Sequence, residues 1–363
     1  MRIAIAAGGT AGHAVPALAV ADALKARGHE IIFFGGERAE AELVPAAGYQ
    51  FNQLKLAGLD RRNPLKAARA VGLAFGGVAV ARRMLKAERI DAVLAGGGYV
   101  SGPVGAAAAL LGIPLVVTEA DAHLGVANRM LAPFARRVCL AFALPGKTGE
   151  KYAVTGRPIA PRRGDLTKAA ARAHFGLPED GRCLLVFGGS LGARTINRAA
   201  LGAFEEGVPD GLCVLHLTGR SDFTASRELL DSAPALSRAA AHARYRLFDY
   251  TTDFDVALAA ADLSVCRAGG SIFELAAAGL PAILVPYPHA TADHQALNAS
   301  WLVDGDAALM VRDDQLTGPW LRGVLDELLA EPERLARMGE NALQLAMPDA
   351  AERIADQIVE VAR

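Results

Sequence analysis

Short, wholly apolar runs recur along the chain, each closed by a glycine or polar turn and followed by a longer stretch of helical composition. In the N-terminal half, residues 3–7, 30–34, 49–56, 91–95, 114–118 and 136–141 read as strands, and 14–24, about 38–47 and 102–111 as helices. The C-terminal half repeats the theme, with strands near Leu184 and at 212–217, 263–266 and 282–285. From Leu316 onward the pattern is helical, and Pro348 with Asp349 opens a last helix. Strands that are apolar without alternation are buried on both faces, as in parallel sheets covered by helices. The pattern therefore predicts an α/β protein of two doubly wound, Rossmann-like domains.

The texture changes at residues 155–164, where proline, glycine and arginine replace any apolar period. A linker is expected at 157–164, separating a domain of residues 1–156 from one of 165–345, with a terminal helix at about 346–363 packing back on the first. A chain of 363 residues is long enough for each half to bury its own core. The formal net charge of -1 gives no global basic field, so nucleic acid is not an expected partner. Cys139, Cys183, Cys213 and Cys266 lie in strand-like runs with no C-x-x-C pair, the usage of buried reduced thiols and not of zinc ligands. Gly8, Gly9 and His13 interrupt the first apolar run before it reaches signal-peptide length, and no run is long enough to span a membrane. Between 63 and 89, Leu65, Leu73, Phe75, Met84 and Leu85 interleave with Lys66, Arg69, Arg82, Arg83, Lys86 and Arg89. Such a helical segment packs its apolar face on a sheet or lies on an anionic membrane surface.

Candidate chemistry concentrates in glycine turns. Gly8-Gly-Thr-Ala-Gly-His13 and Gly188-Gly-Ser-Leu-Gly-Ala193 each follow a strand and open a helix, an arrangement that aims unpaired amides and a positive dipole end at an anion. A third turn, at residues 266–270, precedes a helix carrying Glu274, and Asp293-His-Gln-Ala-Leu-Asn298 starts another. Open sheets bind ligands outside the carboxyl ends of their strands, so these segments should converge, with Glu274 one helical turn past its glycines and suited to accept two ribose hydroxyls. Asp253-Phe-Asp255 and Asp304-Gly-Asp306 imitate an Asp-x-Asp metal signature but read as a helix start and a turn. A dinucleotide-dependent oxidoreductase with Glu37 as ribose acid is a rival, but Thr10 stands where G-x-G-x-x-G needs its second glycine.

The blocks at 8–16, 96–103, 188–194, 266–288 and 293–298, with Asn128, resemble glycosyltransferase family 28 in order and spacing, almost from end to end. The resemblance implies a GT-B fold whose domains face a central cleft. It also implies an inverting, metal-independent transferase without cofactor, moving N-acetylglucosamine from UDP-N-acetylglucosamine to the undecaprenyl-linked muramyl pentapeptide of peptidoglycan synthesis. Glu274 would then hold the donor ribose, and Ser190, Gly189 and neighbouring amides the donor diphosphate. Thr10, Gly12, Asn128, Thr251, Gly269, His294 and Gln295 would complete the donor contacts. Gly8, Gly9, Tyr99 and Ser101 would face the acceptor diphosphate, with His13 where acceptor and donor meet. His13 is a candidate general base, suited by its ordinary pKa, and Glu119 is the rival base or the orienter of His13. Leu65, Lys66, Arg69, Leu73, Phe75, Arg82 and Arg83 would dock to anionic inner-leaflet lipids, making a peripheral protein of the cytoplasmic face of the bacterial cell membrane.

Several positions depart from the family pattern. Ala160 replaces a frequent linker arginine, for which Arg157, Arg162 or Arg163 can substitute, and Leu191 replaces a customary glutamine. His294 stands where a glutamine is frequent, and the turn from Gly269 to Glu274 is one residue short. The departures leave two alternatives open: transfer to another lipid or small-molecule acceptor, and a non-catalytic sugar-nucleotide binding protein.

Overall fold

The computed structural model describes residues 1–9, 11–56, 64–160, 163–164, 166–189, 192–290 and 293–362; the side chains of residues 11 and 64–71 are not among the described ones. Thr10, Ser190, Leu191 and Arg162, and the side chains of Leu65, Lys66 and Arg69, therefore lie outside the described residues. The chain forms two compact units, Met1–Pro161 with Met347–Arg363, and Arg162–Ala346.

The first unit runs β1 (Arg2–Ala6), α1 (Ala11–Ala26), β2 (Glu30–Gly35), α2 (Ala39–Ala46), β3 (Gln50–Gln53), α3 (Pro64–Ala87), β4 (Ala92–Ala95), α4 (Gly98–Leu111), β5 (Leu115–Glu119), α5 (Val126–Leu131), β6 (Arg137–Leu140) and β7 (Tyr152–Val154). Its strands are all parallel, in the order β3-β2-β1-β4-β5-β6-β7. Alternation within β1 shows why its sequence is apolar throughout. Ala4 and Ala6 join a core with residues of α3, α4 and α5, whereas Ile3 and Ile5 join a second core with residues of α1. Both faces are buried, and each fully buried Ile or Leu contributes about 1.5–3 kcal/mol. In α3, Ala81 and Leu85 are buried on the first of these cores, while Phe75 is 75% exposed and Arg82 and Arg83 face solvent.

The second unit contains α6 (Lys168–His174), β8 (Arg182–Phe187), α7 (Arg194–Ala203), β9 (Leu212–Leu217), α8 (Phe223–Ser232), α9 (Pro234–Ala241), β10 (Tyr245–Phe248), α10 (Phe254–Ala260), β11 (Leu263–Cys266), α11 (Ser271–Ala278), β12 (Ala282–Leu284), α12 (His294–Asp304), β13 (Ala308–Met310), α13 (Gly318–Ala330) and α14 (Pro332–Leu345). Its parallel sheet is ordered β10-β9-β8-β11-β12-β13. The last helix, α15 (Ala350–Ala362), belongs to the first unit. Its Ile354, Ala355, Ile358 and Val361 share the core of Ile3, Ile5 and α1, and Arg27 pairs with Glu352 and Asp356.

The elements differ from the sequence pattern mainly at sheet margins. The strands β7, β10 and β13 are absent from the pattern because each is a short edge strand, of three residues in β7 and β13 and with the mixed sequence Tyr-Arg-Leu-Phe in β10. The third strand is confined to Gln50–Gln53, and α4 begins at Gly98, earlier than 102, because Gly97 at φ +94° turns the chain straight into the helix. All four cysteines are free and buried. Among the described residues, no helix is long and apolar enough to cross a membrane, and no group of three or more His, Cys, Asp or Glu is placed to hold a metal ion.

A buried polar chain ties α7 to the second sheet. His216 on β9 is fully buried, with Nδ1 2.9 Å from the Tyr245 hydroxyl and Nε2 3.0 Å from Asn197 Oδ1. An amide oxygen only accepts, so His216 Nε2 carries the proton and the Tyr245 hydroxyl donates to Nδ1. The Asn197 amide donates to Thr218 O and Asp222 Oδ2 at 2.9 and 2.7 Å. Burial drives the His216 pKa down to about 3 from 6.5. In this interval the unfolded chain binds a proton that the folded chain does not, so acidification favours unfolding. Urea unfolding should therefore show wild-type stability falling from pH 6.5 to pH 3 by on the order of 4 kcal/mol more than in His216→Gln. Parallel pH profiles of the two proteins would count against this linkage.

Candidate active site

In both sheets the strand order reverses once, at β1/β4 and at β8/β11. Connections leave in opposite directions there, opening a crevice at the carboxyl ends of the strands. In the first unit this crevice is bordered by the turn after β1 and the turn after β4, which press together. A Cβ on Gly98, at φ +79°, would lie 1.8 Å from the carbonyl oxygen of Gly8, and one on Gly97 would lie 2.8 Å from His13 Nδ1. Only glycine fits at Gly98.

His13 sits in the first turn of α1 and lines a small recess with Gly12, Gly96, Glu119, Gly156 and Arg157. Its Nδ1 is buried without a hydrogen-bond partner. Burial first, and then the charge of Arg157, hold its pKa below the ordinary value, against opposing pulls from Asp121 and Glu40. A neutral imidazole results, the form that can take a proton. Pro16 contributes to this arrangement: lacking an N–H, it cannot bond the carbonyl of Gly12 within the helix, and Arg157 Nη2 donates to that carbonyl at 2.7 Å.

Glu119, at the end of β5, is buried and spends its carboxylate on its own loop. Oε1 accepts from the amides of Ala120 and Asp121 at 3.0 and 3.2 Å, and Oε2 from the Gly125 amide and Asn128 Nδ2 at 2.7 and 2.9 Å. Burial nonetheless outweighs these donors and raises its pKa. Among the described hydrogen bonds none joins Glu119 to His13, so the carboxylate orders the 120–125 loop and the Asn128 amide. Asn128 also donates to Thr118 O at 2.8 Å, and its Oδ1 is buried without a partner.

Two residues expected at the acceptor have partners within the protein. Ser101 is fully buried and donates to Ala6 O at 2.8 Å and Gly97 O at 2.7 Å, so it fastens α4 to β1. The Tyr99 hydroxyl donates to Glu40 Oε1 at 3.0 Å and accepts from the Glu37 amide at 3.3 Å, so it too is engaged within the protein. Glu40 itself was not legible in the sequence, where it looks like any acidic residue in the first turn of a helix. It is fully buried, and it also accepts from the amides of Gly9 at 2.8 Å and Gly36 at 3.0 Å. The one available hint is the Gly35-Gly36 pair just before it, which leaves room for a side chain to turn inward.

In the second unit, Gly192 at φ +83° brings the glycine turn after β8 onto β9, where an added Cβ would meet Thr218 O at 2.2 Å. Glu274 lies half-buried in the first turn of α11, and His294 and Gln295 open α12. Gln295 accepts from the Tyr287 amide at 2.9 Å, and its Nε2 comes within 4.0 Å of where a Cβ on Gly269 would stand. These turns therefore do converge on one end of the sheet. Thr251 Oγ1 accepts from the Asp253 amide at 3.0 Å, a turn-forming bond. Asp253 and Asp255 face Arg163, and His174 lies 3.2 Å from Asp253. Sequence reasoning missed Arg267 and Asp313. Arg267 donates to Val285 O and Pro286 O at 3.1 and 3.2 Å and pairs with Asp313, which accepts from Thr195 at 2.9 Å. Together they lock the start of α7 to the turns after β11 and β12.

Comparisons with known proteins match this architecture in both halves. Residues 3–140 match the glycosyltransferase family 28 N-terminal domain, and residues 183–354 match the family's C-terminal domain. The enzyme of Moorella thermoacetica described as UDP-N-acetylglucosamine--N-acetylmuramyl-(pentapeptide) pyrophosphoryl-undecaprenol N-acetylglucosamine transferase is 40% identical, over 99% of this chain and 98% of its own. Its counterpart in Halorhodospira halophila is 42% identical, with the same coverage. The crystal structure of Acinetobacter baumannii MurG aligns with a TM-score of 0.78 at 30% identity, covering 99% of each chain. With both domain models matched and relatives alike over their full length, the chain belongs to glycosyltransferase family 28.

Proposed function

We propose that this chain transfers N-acetylglucosamine from UDP-N-acetylglucosamine to the undecaprenyl-pyrophosphoryl N-acetylmuramyl pentapeptide. The observation that carries this reading is the likeness, at 40% and 42% identity over 99% of the chain, to two enzymes described by that reaction. The donor occupies the second unit, its diphosphate against the glycine turn at 188–192 and its ribose on Glu274. The acceptor occupies the first unit, its diphosphate near the first turn of α1, whose amides have no partner within the helix. In an inverting transfer the C4 hydroxyl of the muramyl sugar attacks the anomeric carbon as the bond to the nucleotide diphosphate breaks. His13 takes the hydroxyl proton, and turn amides and helix N-termini receive the charge on the leaving diphosphate without a metal or cofactor. Glu119 acts as a positioning residue through the 120–125 loop and Asn128.

We further propose that the protein works as a peripheral protein on the cytoplasmic face of the membrane that holds its lipid-linked acceptor. Support comes from α3, which exposes Phe75 and, two helical turns on, Arg82 and Arg83, and from Met130 and Phe134, 68% and 67% exposed around the end of α5. Large apolar side chains left in water beside arginines suit insertion among anionic headgroups.

Acceptor-dependent UDP release is the direct assay. His13→Ala should lower kcat by roughly 10²–10⁴-fold with little change in donor KM, and Glu274→Ala should raise donor KM with kcat largely kept. Absence of acceptor-dependent turnover would leave only a sugar-nucleotide binding protein, and an unchanged donor KM in Glu274→Ala would remove the ribose assignment. Because burial and Arg157 lower the His13 pKa, the acid limb of kcat/KM should lie below pH 6.5 and move upward in Arg157→Gln; a limb that ignores this substitution points to another base. Binding to liposomes should increase with anionic lipid content and weaken when Arg82 and Arg83 are both replaced by glutamate. Indifference to both changes would remove the docking surface.

A further inference from the structure

We infer that Glu40 is a positioning residue, which clamps the first glycine turn in the conformation that the acceptor needs. The inference rests on the transferase reading above. Three chain segments meet on this one carboxylate: the Gly9 amide after β1, the Gly36 amide after β2 and the Tyr99 hydroxyl of α4. Glu40 is wholly removed from solvent, and without it the buried Gly36 amide and the part-buried Gly9 amide and Tyr99 hydroxyl would each lose this acceptor. The backbone is cut to fit the clamp. A Cβ on Gly8 would lie 2.6 Å from Glu40 Oε1, and one on Gly36 would lie 1.8 Å from the Tyr99 hydroxyl.

The electrostatics separate positioning from charge. Burial raises the Glu40 pKa, but the hydrogen bonds from Gly9, Tyr99 and Gly36, together with its own amide, overcome it, and the group stays ionised. The reciprocal effect pushes the Tyr99 phenol up to about 12, after burial as the first cause. A negative charge beneath a turn that receives a diphosphate repels its guest, so on charge alone its removal should tighten acceptor binding. Its retention follows if the geometry it imposes is worth more than the repulsion. A second consequence concerns the ligand itself: the Gly9 amide is already committed to Glu40, so the acceptor diphosphate must draw on amides farther along, in the first turn of α1.

The test is steady-state kinetics on Glu40→Gln, Tyr99→Phe and the double variant, with amide hydrogen exchange on the same proteins. Glu40→Gln keeps the shape and removes the charge, and it should lower kcat by about 10- to 100-fold while donor KM stays within about twofold. Tyr99→Phe removes one donor and leaves the carboxylate, so it should show a smaller loss of the same kind, and it keeps the question answerable should Glu40→Gln fold poorly. The double variant should lose no more than Glu40→Gln, because Tyr99 acts through Glu40. Peptides containing Gly9 and Gly36 should exchange faster in Glu40→Gln, with those of the second unit unchanged. Unaltered or improved kcat in Glu40→Gln, multiplied losses in the double variant, or unchanged exchange at Gly9 and Gly36 would each overturn the inference. If the wild-type protein shows no acceptor-dependent turnover, the transferase reading falls, and the exchange comparison alone decides whether the clamp exists.

Discussion

The close approach of the turns after β1 and β4 governs the first unit. With the Gly8 carbonyl 1.8 Å from where a Gly98 Cβ would stand, neither turn can move without the other, and His13 is held against both. That contact is possible because the two strands are parallel neighbours at the point where the strand order reverses. Their carboxyl ends lie side by side while the connecting helices depart to opposite faces. The same constraint recurs in the second unit, where β8 and β11 are neighbours and the Arg267–Asp313 pair ties the start of α7 to the turns beyond them.

Two buried glutamates show how local donors decide the fate of a charge. Both carboxylates are removed from solvent and both accept from backbone amides at glycines. In Glu40 the hydrogen bonds prevail and the pKa falls; in Glu119 burial prevails and it rises, helped by the nearby negative charge of Asp121. Both spend their oxygens on the loops that frame His13, which leaves the imidazole as the titratable group whose Nδ1 is unpartnered beside the recess. Its neutrality comes first from burial and then from the charge of Arg157, which is held nearby by the Gly12 carbonyl that Pro16 cannot bond.

Much of this was legible from residue order. Wholly apolar strands such as 3–7 and 263–266 announce burial on two faces, and a glycine turn between strand and helix announces an anion site, because both are consequences of local backbone geometry. The place of Glu274 in the first turn of α11 was legible for the same reason, being one helical turn past its glycines. The internal partners of Ser101 and Tyr99 were not legible, because the family blocks that contain them specify neighbourhood and not direction. The register of α4 turns Ser101 onto Ala6 and Gly97, and Tyr99 onto Glu40.

By itself, the sequence determined the α/β class, the two doubly wound units, the glycine turns and the membership of family 28, because apolar periodicity, turn chemistry and motif spacing are properties of adjacent residues. Only the tertiary structure decided that a helix-surface glutamate such as Glu40 is a buried clamp and that Glu119 serves its own loop. The tertiary structure also united Arg267, Asp313 and Thr195. Such groupings join residues far apart in the chain through long-range hydrogen bonds, and nothing in the local pattern of any one segment encodes its partner in another.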